Sequence, residues 1–367
     1  MSGLTELSSG DTPIIRVQRL TDQVPPLDAA AMQAAATRQE RLTKPRGALG
    51  RLESLSIHLA GITGQARPSV ASKAVLVMAA DHGVAAEGVS AYPQSVTAQM
   101  VHNFLAGGAA INVLARQARA RVVVVDMGVA TPLPAWPGLV RAAIAAGTAN
   151  FAYGPAMTRD QALQALLNGA ELAASEIEQG VDILGTGEMG IGNTTAAAAV
   201  AAALMGRDPH DLVGPGTGLD ATGVAHKAAV VQRALAQNRP DPADAVDVLA
   251  KVGGFEIGGL AGAMLAAAAQ RCPVMLDGYI ATAAAMLAVT LAPRVCDYLI
   301  AAHCSAEPGH AAMLAWLGLE PLLALEMRLG EGTGAVLGML LAEAACRTLD
   351  EMATFDEAGV DDRPTTL

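Results

Sequence analysis

Aromatic residues are nearly missing from this chain: 2 Trp, 4 Tyr and 4 Phe make up 3% of 367 residues. Charged residues are also scarce, at 16% against an average of about 25%. Although 52% of the residues are hydrophobic, no run approaches the roughly 20 continuous apolar residues that span a bilayer. The longest candidates, around Ile257 to Gln270 and Gly278 to Pro293, are rich in Ala and Gly and bounded by Glu256, Arg271, Asp277 and Arg294. They read as buried helices, so no membrane partner is expected. Positive charge is in deficit: 24 basic against 35 acidic residues leave a net charge of −11, unlike a nucleic-acid binder or a protein held on anionic lipid. Cys272, Cys296, Cys304 and Cys346 form no CxxC pair, which argues for reduced thiols rather than disulfides or a zinc site. No Lys follows a Gly, so the GK[ST] of a P-loop is absent. The opening MSGLTELSSGDT has no basic segment leading into an apolar run, and a cytoplasmic location is expected.

What is present is Ala, Leu, Val, Met and Ile interleaved with 38 Gly, in a chain long enough to bury a large core. The pattern predicts a flexible arm over 1–24. It predicts helices from Leu27 to Arg41 and from Leu49 to Ile62, around the turn Lys44-Pro45-Arg46-Gly47. From Lys73 onward, short apolar runs ending in Gly or Asp loops alternate with longer Ala/Leu segments: AVLVMAADHG (74–83), RVVVVDMG (121–128), VDILGTGEMG (181–190), CPVMLDG (272–278) and DYLIAAHC (297–304). Such alternation signals an α/β fold, a parallel sheet covered on both faces. A last helix, Thr333 to Met352, can return to the N-terminal hairpin. The expected division is a helical part over 25–70, an α/β catalytic domain over 71–332, a returning helix over 333–355 and a disordered tail over 356–367. Ligands of open α/β sheets bind beyond the carboxyl ends of the strands, which directs attention to the loops at 81–83, 126–128, 185–195, 277–278 and 303–310.

The richest of these is VDILGTGEMGIGNTT, where a strand runs through four glycines into Asn193, Thr194 and Thr195 at a helix start. Glycines admit an anion close to the backbone, the first helical N–H groups point at it, and hydroxyls add donors. Gly185, Gly187 and Gly190 also satisfy G-x-G-x-x-G, so an NAD-dependent oxidoreductase is an alternative. The ribose-binding acid expected about 20 residues on is not well placed, since Asp208 sits in the turn GRDPHD. A tight packing turn with Thr as helix cap is the bland reading. GPGTGLD (214–220) and LGEGTGA (329–335) are two further glycine loops; the second sets Glu331 between Gly330 and Gly332, although a glutamate beside a glycine turn is commonly a solvated cap. VVVVDMG lacks the second acid of a diphosphate-metal strand, Met127 following Asp126. His82, His303 and His310, with Asp81 and Glu307, lack the i, i+4 spacing of helical metal ligands. They read instead as histidines bonded to loop backbone.

Taken together, LTKPRGALGRLE (42–53), ADHGVAAEGVSAYPQSVTAQMV (80–101), FLAGGAAINVLAR (104–116), GTGEMGIGNTT (185–195), VGPGTGLD (213–220), GGFEIGGLAGAML (253–265), LDGYIATAAAML (276–287), HCSAEPGH (303–310) and MRLGEGTGA (327–335) closely resemble the nicotinate-nucleotide:dimethylbenzimidazole phosphoribosyltransferase family, from Leu27 to about Arg347 and in order. The resemblance implies a Rossmann-like large domain, a smaller helical domain built from both chain ends, and a homodimer. It implies transfer of ribose 5-phosphate from nicotinate mononucleotide to 5,6-dimethylbenzimidazole, with no cofactor and no metal. Glu331 matches the general base; Glu188 and Lys227 match the other charged active-site positions. Gly190, Gly192, Asn193, Thr194, Ser305 and Gly309 are assigned to the nucleotide phosphate and ribose, and Ser90, Tyr92 and Gln94 to the acceptor base. A nucleotide-sensing module that binds without reacting is the non-enzymatic alternative.

Overall fold

The structure, a computed structural model, describes residues 11–362. Its core is a six-stranded, wholly parallel sheet: β1 (Lys73–Ala80), β2 (Ala120–Gly128), β3 (Leu139–Arg141), β4 (Ile183–Met189), β5 (Val274–Leu276) and β6 (Leu299–Ala301), in the spatial order 3-2-1-4-5-6. All eight residues of β1 are buried, which is why KAVLVMAA is a continuous apolar run and not an alternating one. The five strands expected from sequence are all present. The three-residue edge strand β3, LVR, is an addition to them: it is partly exposed and too short to carry a period. Strand order reverses between β1 and β4, so the crevice for a ligand opens at their carboxyl ends.

Before the sheet come α1 (Pro13–Asp22), α2 (Ala29–Arg41) and α3 (Arg51–Thr63). Between strands run α4 (Val96–Ala106), α5 (Ala110–Ala118), α6 (Arg159–Glu178), α7 (Asn193–Met205), α8 (Ala221–Asn238), α9 (Ala245–Val252), α10 (Phe255–Ala269) and α11 (Tyr279–Leu291). After β6 follow α12 (His310–Leu317), α13 (Thr333–Glu351) and the short α14 (Phe355–Ala358). The Ala-rich helices are enclosed on nearly every side; α10 is buried from Phe255 to Ala268. The two segments read as buried helices are α10 and α11, and no helix among the described residues is long and apolar enough to cross a membrane.

The N-terminal helix α2 meets the end of α13. Arg38 of α2 donates to the carbonyl oxygens of Leu349 (2.7 Å), Asp350 (3.0 Å) and Met352 (3.0 Å), at the C-terminal end of α13, where a cation also complements the helix dipole. Leu42 and Thr354 form an antiparallel bridge. The expected loose arm is corrected over Pro13–Asp22, which is helical: Val17 and Leu20 are buried, and Arg16 pairs with Glu171 of α6 at 2.6 Å. The expected tail likewise begins with an ordered helical turn, α14, where Thr354 and Glu357 form a capping box. Residues 1–10 and 363–367, the outer parts of those two expectations, lie outside the described residues.

Candidate active site

Beyond the carboxyl ends of β4, β5 and β6 lies a cavity of about 510 Å³, within the usual range for small-molecule sites. One wall is the turn from β4 into α7. Gly192 caps α7 at φ +96° and offers no side-chain acceptor. The positive end of the helix thus carries no side-chain cap and puts Asn193 and Thr194 on the cavity wall, a place that favours negative charge. Gly190 approaches β1 so closely that a Cβ would lie 2.4 Å from the Ala80 carbonyl oxygen.

The turn into α13 also lines the cavity, packed against the end of β4. Gly330, Glu331 and Gly332 are three consecutive left-handed residues, at φ +82°, +62° and +91°. Glycine adopts this region freely, whereas a glutamate there stores strain of about 1 kcal/mol or more. The turn is forced by its neighbours. Gly332 N–H and Ala335 N–H donate to the Asp277 carboxylate at 3.2 and 3.0 Å, and a Cβ at Gly187 would lie 2.5 Å from the Glu331 carbonyl oxygen. Gly185 and Gly187 are thus residues inside β4 that admit the α13 turn, not the tight turn of a dinucleotide fingerprint. This removes the structural basis of the oxidoreductase alternative.

Glu331 is buried and receives the Ile111 N–H at 3.3 Å. Burial pushes its carboxyl above the ordinary range, Asp277 adds to this, and the Ile111 bond partly offsets it. Glu188 abuts the same turn: a Cβ on Gly330 would stand 2.1 Å from Glu188 Oε1, and the Glu331 backbone N–H donates to its carboxyl. Burial first, then the charges of Asp277 and Glu256, raise Glu188 to about 8, while the Asn193 side chain, which donates to it, pulls the other way. Asp277 itself is raised by burial and held back by His303, whose Nε2 lies 3.8 Å from Oδ1.

Lys227 is fully buried but does not reach the cavity wall. Its Nζ donates to Thr194 Oγ1 at 2.6 Å and to the Gly214 carbonyl oxygen at 3.4 Å, and burial lowers it to about 8 against the pull of Glu307. Glu307 in turn receives the Gly216 N–H at 3.0 Å. Ser305 sits on the wall, its N–H donating to His310 Nδ1 at 2.7 Å. His310 Nε2 is then the protonated nitrogen and donates to Thr282 Oγ1 at 2.8 Å.

Of the residues singled out in the sequence, Glu188, Gly190, Asn193, Thr194, Ser305, Glu331 and Tyr92 line the cavity. Gly192 and Gly309 stand behind them as the caps of α7 and α12. Ser90 Oγ lies 3.0 Å from Thr217 Oγ1 at the rim, and Gln94 is exposed and off the wall. His310 is bonded to loop backbone as expected, but His82 is not: its Nε2 lies 2.6 Å from Glu256 Oε1, both side chains fully buried. Asp277 was placed by sequence in a ligand-facing loop but given no role; Glu256 and Arg328 were missed. LDG at the end of β5 was the available signal for Asp277; nothing local marked Glu256 or Arg328.

A family model described as phosphoribosyltransferase matches residues 24–360. The nicotinate-nucleotide–dimethylbenzimidazole phosphoribosyltransferase of Roseiflexus sp. (strain RS-1) is 63% identical over 338 residues, 92% of this chain and 96% of its own. The protein of the same name from Chloroflexus aurantiacus (strain ATCC 29366 / DSM 635 / J-10-fl) is 59% identical over 347 residues, 95% of this chain and 99% of its own. The crystal structure of CobT from Thermus thermophilus superposes with a TM-score of 0.88 at 51% identity, covering 91% of this chain and all of that one.

Proposed function

The chain belongs to the nicotinate-nucleotide–dimethylbenzimidazole phosphoribosyltransferase family, and on that footing we propose that it transfers ribose 5-phosphate from nicotinate mononucleotide to 5,6-dimethylbenzimidazole. The products are nicotinate and α-ribazole 5′-phosphate, the source of the lower ligand of cobalamin. The bond from C1′ to the pyridinium nitrogen breaks and its electron pair returns to nicotinate. One acceptor nitrogen supplies the pair for the new bond from the opposite face, inverting the anomeric carbon. The proton on the other acceptor nitrogen passes to Glu331. The observation that carries this reading is the buried Glu331 carboxyl, which lines one cavity together with Glu188 and with Asn193 and Thr194 at the start of α7. A desolvated carboxylate is a stronger base than one in water. Glu188, beside the reacting sugar, is assigned to orienting ribose or stabilising its cationic transition state. Lys227 supports the phosphate side through Thr194; Tyr92 on the wall and Ser90 beside Thr217 are assigned to the acceptor side, as is Gln94 of the same segment, which stands off the wall. The same reading has the enzyme work in the cytoplasm as a homodimer.

The test is nicotinate release from nicotinate mononucleotide in the presence of benzimidazoles, purines and phenols. Release must depend on the acceptor; its absence with every acceptor refutes the transferase and leaves a sensing module. Glu331→Gln should lower kcat by about a hundredfold or more, the range of general-base contributions, while nucleotide binding persists. The wild-type rate should rise with pH through an acidic limb above the ordinary carboxylate range, and that limb should vanish in the variant. Equal losses of binding and rate would make Glu331 structural.

A further inference from the structure

The cavity presents an electrostatic problem for an anionic nucleotide. Four carboxyl groups line it and no extended basic surface does: burial raises those of Glu188, Asp277 and Glu331 toward the neutral form, Glu307 is the fourth, and Arg328 is the one Lys or Arg on the wall among the described residues. Lys227, which the family resemblance assigns to the active site, is occupied behind that wall by Thr194 and Gly214. Arg328 is placed differently. Its Nη1 donates to the Gly216 carbonyl oxygen at 2.9 Å, its one hydrogen bond among the described residues, and the rest of an exposed guanidinium with five N–H donors remains for a ligand. Gly216 fixes where that guanidinium sits. A Cβ at Gly216 would lie 2.9 Å from Thr194 Oγ1 and 3.0 Å from Lys227 Nζ, so Arg328 stands across one glycine from the N-terminus of α7. The loop that carries it reaches Glu331 three residues later.

We propose that Arg328 is the direct cationic ligand of the substrate's phosphate group, with Lys227 acting on that phosphate only through Thr194. The phosphate is then held between a helix N-terminus and a guanidinium, which suits the planar donor fork of arginine to phosphate oxygens. Because Arg328 and Glu331 share one turn, seating the phosphate also fixes the turn that presents the base. Arg328 is on this assignment a binding residue. The assignment rests on the nucleotide-transferase reading above.

Equilibrium binding of nicotinate mononucleotide, nicotinate riboside and nicotinamide riboside to wild type, Arg328→Gln and Arg328→Lys tests it. Arg328→Gln should weaken the mononucleotide about ten- to a hundredfold and leave both ribosides within about twofold, with Arg328→Lys in between. Equal weakening of the mononucleotide and nicotinate riboside would assign Arg328 to the nicotinate carboxylate or to loop folding and overturn the proposal. Unchanged mononucleotide binding would overturn it as well. Wild-type turnover separates this failure from that of the premise: if nicotinate is released with an acceptor while the Arg328 variants still prefer the mononucleotide, only the Arg328 assignment falls.

Discussion

Glu188 shows how far a single buried acid can tie stability to pH. Its carboxyl is raised to about 8 by burial and by the charges of Asp277 and Glu256. Between the unfolded value near 4.5 and about 8, the folded protein keeps a proton that the unfolded chain has released, so stability falls as pH rises across that window. Glu188→Gln removes the titration. Chemical denaturation at about pH 5 and about pH 8 should show a smaller loss of stability over that interval in the variant than in wild type; identical slopes would mean that Glu188 is ionised throughout. Lys227 has the mirror-image sign. Lowered to about 8, it is deprotonated in the folded state before the unfolded chain loses its proton near 10.5, so its burial penalty is relieved as pH rises above about 8. At this scale the sequence showed the residues set in glycine loops, Glu331 and Asn193 among them, because a loop pattern is local. It did not show Glu256 or Arg328, whose roles depend on strands and loops far away in the chain: Glu256 meets His82 across 174 positions, and Arg328 meets Gly216 across 112.

Among the elements, α6 and α10 show what the glycine-rich, aromatic-poor composition achieves. A Cβ on Gly169 of α6 would lie 1.8 Å from the Gly259 carbonyl oxygen, and one on Gly262 of α10 would lie 1.8 Å from the Leu166 carbonyl oxygen. The obstructing atoms are backbone, so neither helix can yield by changing a rotamer. Gly262→Ala should therefore destabilise the protein by about 3 kcal/mol, seen as a Tm lowered by roughly 5 °C. Gly154→Ala, where nothing lies within 4 Å of the added carbon, should be nearly silent. A silent Gly262→Ala would mean that the helices can separate without cost. The strands with buried apolar runs and the capped helices were legible because their signals span a whole element. β3 and α1 were not. An edge strand of three residues carries no period, and α1 is a ten-residue helix whose apolar residues divide between the buried Val17 and Leu20 and the exposed Ile14 and Ile15.

For the whole molecule, the scarcity of positive charge sets how an anionic substrate arrives. With a net charge of −11, the long-range field opposes a nucleotide's approach. Capture is left to short-range devices, the N-terminus of α7 and the Arg328 guanidinium. Added salt screens interactions between exposed charges beyond about 10 Å at 0.1 M but acts less on short-range contacts to partly buried groups. The repulsive part is therefore removed first. Raising NaCl from about 20 to about 200 mM should leave kcat/KM for nicotinate mononucleotide unchanged or raise it, on the order of twofold, the reverse of an enzyme that steers its substrate with a basic surface. A steep fall would show that attraction by an extended cationic surface, for which the sequence has few residues, governs capture after all.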